Sequence, residues 1–196
     1  MIFMEHPSRQ MLISADEIAA RVRVLGEEIT RHYAGRVPVF LGVMNGALFF
    51  MTDLVRSVTL DTEISCVRLA SYSGAISTGR VSGLDGLQDS VRGREVLIID
   101  DIFDTGRTLS TLAARLGELG AADIKICVLL EKKRDRAASV RPDWVGFPIE
   151  DAFVIGYGLD YNGRYRSLPG IEVLSEPDKI TPDAAKSQTM ALDAAS

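Results

Sequence analysis

The sequence predicts an α/β fold with a central, mostly parallel sheet flanked by helices. Three observations predict it. Apolar runs at 37–43, 96–99 and 124–130 suit strands buried on both faces of a sheet. Segments with an apolar stripe at helical spacing alternate with these runs, the order that parallel crossovers require. The chain has 196 residues, 46% hydrophobic and 25% charged, the balance of one ordinary domain with a substantial core.

Residues 1–13 hold little pattern. Ser14-Ala15-Asp16-Glu17 has the form of a capping box. Ile18, Val22, Leu25 and Ile29 then mark one face of a helix ending near Gly35. Val37 to Val43 is the first buried strand, and Gly42 to Gly46 turns into a second helix that runs through Leu54 and Val55. Glu63 to Ala70 reads as a strand. Residues 71–93, with many Ser and Gly and few large apolar side chains, read as a long loop or flap. Val96 to Asp100 is the central strand and Thr108 to Leu119 the helix after it, with Leu109, Leu112, Leu116 and Leu119 at helical spacing. Ile124 to Leu130, Trp144 to Phe147 and Phe153 to Ile155 complete the strands. The domain occupies 1–176. Residues 177–196, rich in Ala, Ser, Asp and Lys, are expected to be a poorly ordered tail.

Composition bounds the function. A net charge of −5 argues against a generic nucleic-acid partner. Cys66 and Cys127 stand apart in apolar stretches and are expected to be buried free thiols. No charged-then-apolar leader opens the sequence and no apolar run approaches about 18 residues, so a cytoplasmic location without membrane contact is expected.

The chemistry concentrates in VLIIDDIFDTGRTL at 96–109. Here an apolar strand ends in Asp100 and Asp101, and a helix begins after Asp104, Thr105, Gly106, Arg107 and Thr108. In open α/β sheets ligands bind at the carboxyl ends of strands, and the amides of a helix N-terminus favour phosphate. Asp100 and Asp101 suit the two hydroxyls of a ribose or a hydrated Mg²⁺. Thr105, Gly106 and Thr108 suit a monophosphate, and Gly106 lets the backbone approach closely. Asp104 is a candidate general base. The loop fits neither the GxxxxGK[ST] nor the GxGxxG pattern.

This segment resembles the phosphoribosyl diphosphate (PRPP) signature of type I phosphoribosyltransferases. MNGALFF at 44–50, SYSG at 71–74, LLEKKRDR at 129–136 and FVIGYGLDYNGRYRSLPGI at 153–171 follow in the order of the hypoxanthine-guanine branch, so the likeness spans roughly residues 10–175. It implies the type I phosphoribosyltransferase fold, with a small hood formed by terminal segments. It also implies purine salvage: transfer of the 5-phosphoribosyl group from PRPP to N9 of hypoxanthine or guanine, with release of pyrophosphate.

By the same resemblance, Asp100, Asp101, Asp104, Thr105, Gly106, Arg107 and Thr108 bind PRPP, and Asp104 is catalytic through the purine N7. Asn45, Gly46 and Arg166 bind pyrophosphate, with a non-proline cis peptide implied at Met44–Asn45. Lys132 donates to the purine O6, an acceptor that suits an ammonium. Phe153 stacks on the base, Val154 meets its edge through the backbone, and Asp160 lies near its 2-position. Asp100, Asp101 and Asp160 are the implied Mg²⁺ ligands, and Ser71 and Tyr72 open a lid loop. The family often has Lys where this chain has Asn45, and Glu-Asp where it has Asp100-Asp101. A homodimer or homotetramer is implied. Two alternatives stand: a PRPP-sensing regulator of the same fold, disfavoured by the acidic charge, and an enzyme that prefers xanthine.

Overall fold

The computed structural model describes residues 8–68, 87–134 and 138–175. The described elements run β1 (Arg9–Ile13), α1 (Ala15–His32), β2 (Val39–Met44), α2 (Leu48–Ser57), β3 (Glu63–Arg68), α3 (Gln88–Val91), β4 (Glu95–Phe103), α4 (Arg107–Glu118), β5 (Asp123–Lys132), β6 (Trp144–Ile149), β7 (Val154–Ile155) and β8 (Ile171–Leu174).

Five strands form a parallel sheet in the order β3-β2-β4-β5-β6. The chain leaves β2 for β3 on one side and comes back to β4 on the other, so the carboxyl ends of β2 and β4 lie at a reversal of strand order. Such a reversal opens a crevice above the sheet. Alternate side chains fill the two faces. Phe40, Leu97, Ile99, Cys127 and Leu129 pack with Ile18, Leu25 and Ile29 of α1 and with Leu54 of α2. Val39, Leu41, Val96, Ile98, Ile126 and Val128 pack with Leu109, Leu112 and Leu116 of α4. Each such buried aliphatic side chain contributes about 1.5–3 kcal/mol, enough to fix the register.

Helix α1 starts as its sequence requires. The Ser14 hydroxyl accepts from the Glu17 amide, and the Glu17 carboxylate accepts from the Ser14 amide at 2.8 Å. A second sheet, β1-β8-β7, is antiparallel and joins the two ends of the described chain.

Several expectations need correction. The central strand does not stop at Asp100 but runs on to Phe103, because β5 continues to pair with it through Ile102↔Leu130 and Phe103↔Glu131. Strands β1 and β8 are not among the expected strands, since each is short and they pair with each other across most of the chain. The 71–93 loop carries the short α3 at its end, while residues 69–86, with Ser71 and Tyr72, lie outside the described residues. Cys127 is buried, but Cys66 is exposed, because β3 is an edge strand with mostly outward side chains.

Candidate active site

At the carboxyl end of β4, Asp100 is buried to 6% exposure. Its Oδ1 accepts from the Asp101 amide at 2.9 Å. Burial, then the Asp101 charge beside it, hold the Asp100 carboxyl well above the usual range. Burial also raises Asp101, which keeps more of its acidity through its bond with Asp100, its backbone bonds and the Arg166 charge. Two desolvated carboxylates side by side form a strong local demand for a cation.

Steric constraints fix the chain around them. The Met44–Asn45 peptide is cis, as the resemblance implies. A Cβ on Gly46 would lie 1.8 Å from Asp101 Oδ2, so only glycine lets this loop rest on the carboxylate. Gly106, at φ +75°, is the N-cap of α4, and a Cβ there would meet Ala138 at 2.6 Å and Phe103 at 2.8 Å. The N-cap Gly106 brings no side-chain cap to α4, although the Arg107 amide donates to Thr105 Oγ1 at 3.4 Å. This first turn stands at the cavity that Gly106 and Thr108 line, where the helix dipole favours an anion. The Asp104-Thr105-Gly106 turn links the two features.

The third wall comes from the segment after β7. Arg166 Nη2 pairs with Asp160 Oδ1 at 2.6 Å, and its Nη1 donates to the Gly158 carbonyl. Asp160 Oδ2 also accepts from the Gly163 amide at 2.7 Å. Together these elements enclose a cavity of about 670 Å³. Asn45, Gly46, Asp100, Asp101, Asp104, Thr105, Gly106, Thr108, Asp160 and Arg166 all line it. This volume suits a phosphorylated sugar.

Lys132, Phe153, Val154 and Arg107 do not line this cavity. Arg107 is exposed on the first turn of α4. Lys132 Nζ lies 3.0 Å from Asp151 Oδ1 and 3.8 Å from Asp104 Oδ2. Arg134 bridges Asp104 and Asp151, the latter at 2.7 Å. Lys132, then Arg134, hold the Asp151 carboxyl below its usual range. Phe153 is 40% exposed and meets Tyr161 edge-on at 5.5 Å. Val154 points into the core, and its strand pairs Val154 with Val173. Lys132, Arg134, Asp104 and Asp151 therefore form an ion-paired cluster joined to the cavity through Asp104.

Sequence reasoning missed Asp151 and Arg134, and also Arg68, which lines the cavity from the end of β3. The charge run after β5 was a signal for Arg134, whereas Asp151 and Arg68 come near only through folding. Among the described residues no three His, Cys, Asp or Glu side chains group closely enough to hold a metal. Asp160 is already tied to Arg166 and Gly163, so Asp100, Asp101 and Asp160 are not one preformed cage.

A crevice at a strand-order reversal, two acids on the strand and a glycine turn define a site for a phosphorylated ligand. The phosphoribosyl transferase domain matches residues 9–162, and the chain belongs to that family. It is 44% identical over 172 residues to the hypoxanthine-guanine phosphoribosyltransferase of Bacillus subtilis, covering 87% of this chain and 96% of that one. It is 43% identical over 172 residues to the bifunctional protein TilS/HprT of Listeria innocua, covering 87% of this chain but spanning only 26% of that longer protein. Among solved structures it is similar to the hypoxanthine phosphoribosyltransferase of Trypanosoma cruzi in complex with the product IMP. That likeness has a TM-score of 0.75 and 31% identity, and covers 90% of this chain and 98% of that one.

Proposed function

We propose that this chain transfers the 5-phosphoribosyl group of PRPP to N9 of a 6-oxopurine, hypoxanthine or guanine, giving IMP or GMP and pyrophosphate. The observation that carries this reading is the pairing of two sites through one residue. Asp104 lines the phosphate cavity and also lies 3.8 Å from Lys132 in the base-side cluster. A group reaching both can serve the atom that joins sugar to base.

In this reading Asp100 and Asp101 bind the ribose hydroxyls. Thr105, Gly106 and Thr108 hold the 5-phosphate at the start of α4, with Arg107 at the rim. Asn45, Gly46 and Arg166 receive the pyrophosphate. Lys132 donates to O6, Phe153 stacks on the base, and the Val154 backbone reads its edge. As N9 bonds to C1′, the C1′–oxygen bond breaks and its electrons leave with pyrophosphate. Asp104 takes or stabilises the N7 proton at that moment, which supplies acid–base catalysis. Ser71 and Tyr72 are read as part of a lid that keeps water from the reacting carbon.

The donor set fits Mg²⁺. It offers hard carboxylate oxygens, and a cation would stabilise the ionised form of Asp100 and Asp101 that burial disfavours. Without a preformed cage, most coordination would come from substrate oxygens and water, as Mg²⁺ prefers. When bound, the ion neutralises the leaving pyrophosphate. Exposed Leu48 and Phe49 on α2 support a self-associated form, read as a homodimer or homotetramer. No described helix is long and apolar enough to cross a membrane.

The test is nucleotide formation from PRPP and Mg²⁺ with hypoxanthine, guanine, xanthine, adenine and uracil offered separately. Product from hypoxanthine or guanine, lost on chelating Mg²⁺, is expected. Turnover of xanthine alone would replace the base assignment. PRPP binding without turnover of any base would favour a regulator.

A further inference from the structure

Asp104, Arg134, Asp151 and Lys132 form an almost closed ring of alternating charge. Arg134 Nη1 donates to Asp104 Oδ1, and its Nη2 donates to Asp151 Oδ2 at 2.7 Å. The other oxygen of Asp151, Oδ1, accepts from Lys132 Nζ at 3.0 Å. The ring is open at one place. Lys132 Nζ and Asp104 Oδ2 stand 3.8 Å apart, too far for a hydrogen bond.

The strands explain why the gap falls there and which side of it needs holding. Phe103 of β4 pairs with Glu131 of β5, so Asp104 and Lys132, each one residue on, leave neighbouring strands about 4.8 Å apart. Lys132 is fixed by the sheet. It pairs with Ile149 of β6, and the Lys133 amide donates to the Ile149 carbonyl at 2.8 Å. Asp151 follows two residues after Ile149. Asp104, by contrast, lies beyond the last pairing of β4 with β5. The Lys132 side chain is 13% exposed, whereas those of Arg134, Asp104 and Asp151 are 35%, 41% and 46% exposed. A half-exposed carboxylate turns about its side-chain bonds unless a partner holds it. Arg134 is that partner on the Oδ1 side. Its guanidinium is a flat, always-charged fork, so one side chain holds two carboxylates at a set separation.

We propose that Arg134 is a positioning residue for Asp104: it grips Oδ1, ties it to Asp151, and so presents Oδ2 across the gap from Lys132. This rests on the phosphoribosyl-transfer reading, in which the gap takes the edge of the base. An edge that offers an acceptor at position 6 and an N–H at position 7 fits it, since the ammonium only donates and the carboxylate oxygen accepts. A 6-amino group would meet the ammonium with a second donor. Arg134 acts from the far side of the carboxylate, through Asp104.

The experiment is a double-variant cycle of wild type, Arg134→Gln, Asp104→Asn and Arg134→Gln/Asp104→Asn, with Arg134→Lys beside it. Initial rates vary hypoxanthine and PRPP separately, and thermal melts follow folding. Arg134→Gln should lower kcat about 10-fold with the PRPP KM within about twofold, because a loosened proton acceptor is lost to the transition state and not to PRPP binding. In the Asp104→Asn background the same change should cost less than about twofold, since the carboxylate it positions is gone. Arg134→Lys keeps the charge without the fork and should lose about 3- to 10-fold in kcat. Melting temperatures should stay within about 2 °C of wild type, as for other exposed substitutions. An unchanged kcat in Arg134→Gln overturns the proposal. So does an equal loss in both backgrounds, which marks a general structural role, and so does full activity in Arg134→Lys, which marks charge alone. A rise in kcat/KM for hypoxanthine also overturns it, because Arg134 would then compete with the base for Asp104. If Arg134→Gln does not fold, Arg134→Lys and Arg134→Lys/Asp104→Asn complete the same cycle. A wild type that turns over no base defeats the transfer reading and this proposal together, whereas an active wild type with additive losses defeats the proposal alone.

Discussion

On the phosphoribosyl-transfer reading the site has a phosphate half and a base half, and the two are built by different physics. The phosphate half is held by sterics and burial: Gly46 seated on Asp101, Gly106 in the left-handed region against Phe103 and Ala138, and Asp100 almost sealed from water. The base half is held by ion pairs among Lys132, Arg134, Asp104 and Asp151, most of them substantially exposed. Exposed ion pairs contribute little to stability and adapt to what lies beside them. A single added methyl group in the phosphate half has no room to adapt. The first half should therefore fail abruptly when altered, and the second by degrees.

The residue shared by both halves should give the largest effect. Asp104→Asn keeps the size of the side chain but removes a proton acceptor. We expect kcat to fall about 10²- to 10⁴-fold with the PRPP KM within threefold of wild type. Initial rates at saturating hypoxanthine measure this, and an unchanged kcat would remove Asp104 from the chemistry.

Gly46→Ala tests the steric half. Its Cβ would lie 1.8 Å from Asp101 Oδ2, so the loop or the carboxylate must move. A drop of about 100-fold or more in kcat/KM for PRPP is expected, because misplacement on the order of 1 Å already costs that much. A near-normal value would show that this half is as adaptable as the other.

The sequence reveals these halves unequally. The buried strands were legible because alternating faces of Val39–Val43, Val96–Ile99 and Ile126–Leu129 are apolar on both sides, which only a covered parallel sheet explains. The phosphate half was legible for a related reason: Asp100, Asp101, Asp104 and Gly106 lie within one short segment whose spacing matters. The end of β4 was misjudged, since two adjacent acids look like a strand end while pairing with β5 carries them onward. Strands β1 and β8 were hidden because each depends on a partner about 160 residues away in sequence. Asp151 gave no local signal, and its role depends on Lys132 reaching it from another strand.

The buried pair also predicts a stability effect. Asp100 has a folded-state pKa raised by burial and by Asp101. The native state thus keeps its proton at pH values where the unfolded chain has lost it. Stability then declines as pH rises above the unfolded value of about 3.9 and levels off above the folded one. Asp100→Asn removes that loss while its amide oxygen can still accept from the Asp101 amide. In Mg²⁺-free buffer the variant should be more stable than wild type by about 1–2 kcal/mol at pH 8, with the advantage gone near pH 3.5. Urea melts at both pH values measure this. A wild type as stable as the variant at pH 8 would mean that burial costs this site nothing.

The smallest effect belongs to the exposed half. Asp151→Asn removes one charge from beside Lys132, whose Nζ lies 3.0 Å from Asp151 Oδ1 and which has Asp104 on its other side. Lys132 keeps its charge and gains freedom of rotation, so the hypoxanthine KM should rise only about 3- to 10-fold, with kcat nearly constant. The Asp151 carboxyl is held below its usual range, chiefly by its bond from Lys132. A depressed carboxyl contributes its pairing at pH values above the unfolded pKa and loses it only as pH falls through the folded one. Between pH 5 and 9 it therefore stays ionised, and the ratio of variant to wild-type KM should be flat across that range. A ratio that collapses toward one between pH 6 and pH 5 would mean that Asp151 titrates there and that Lys132 does not hold it. A loss of 100-fold or more would show instead that the exposed cluster is as rigid as the buried one.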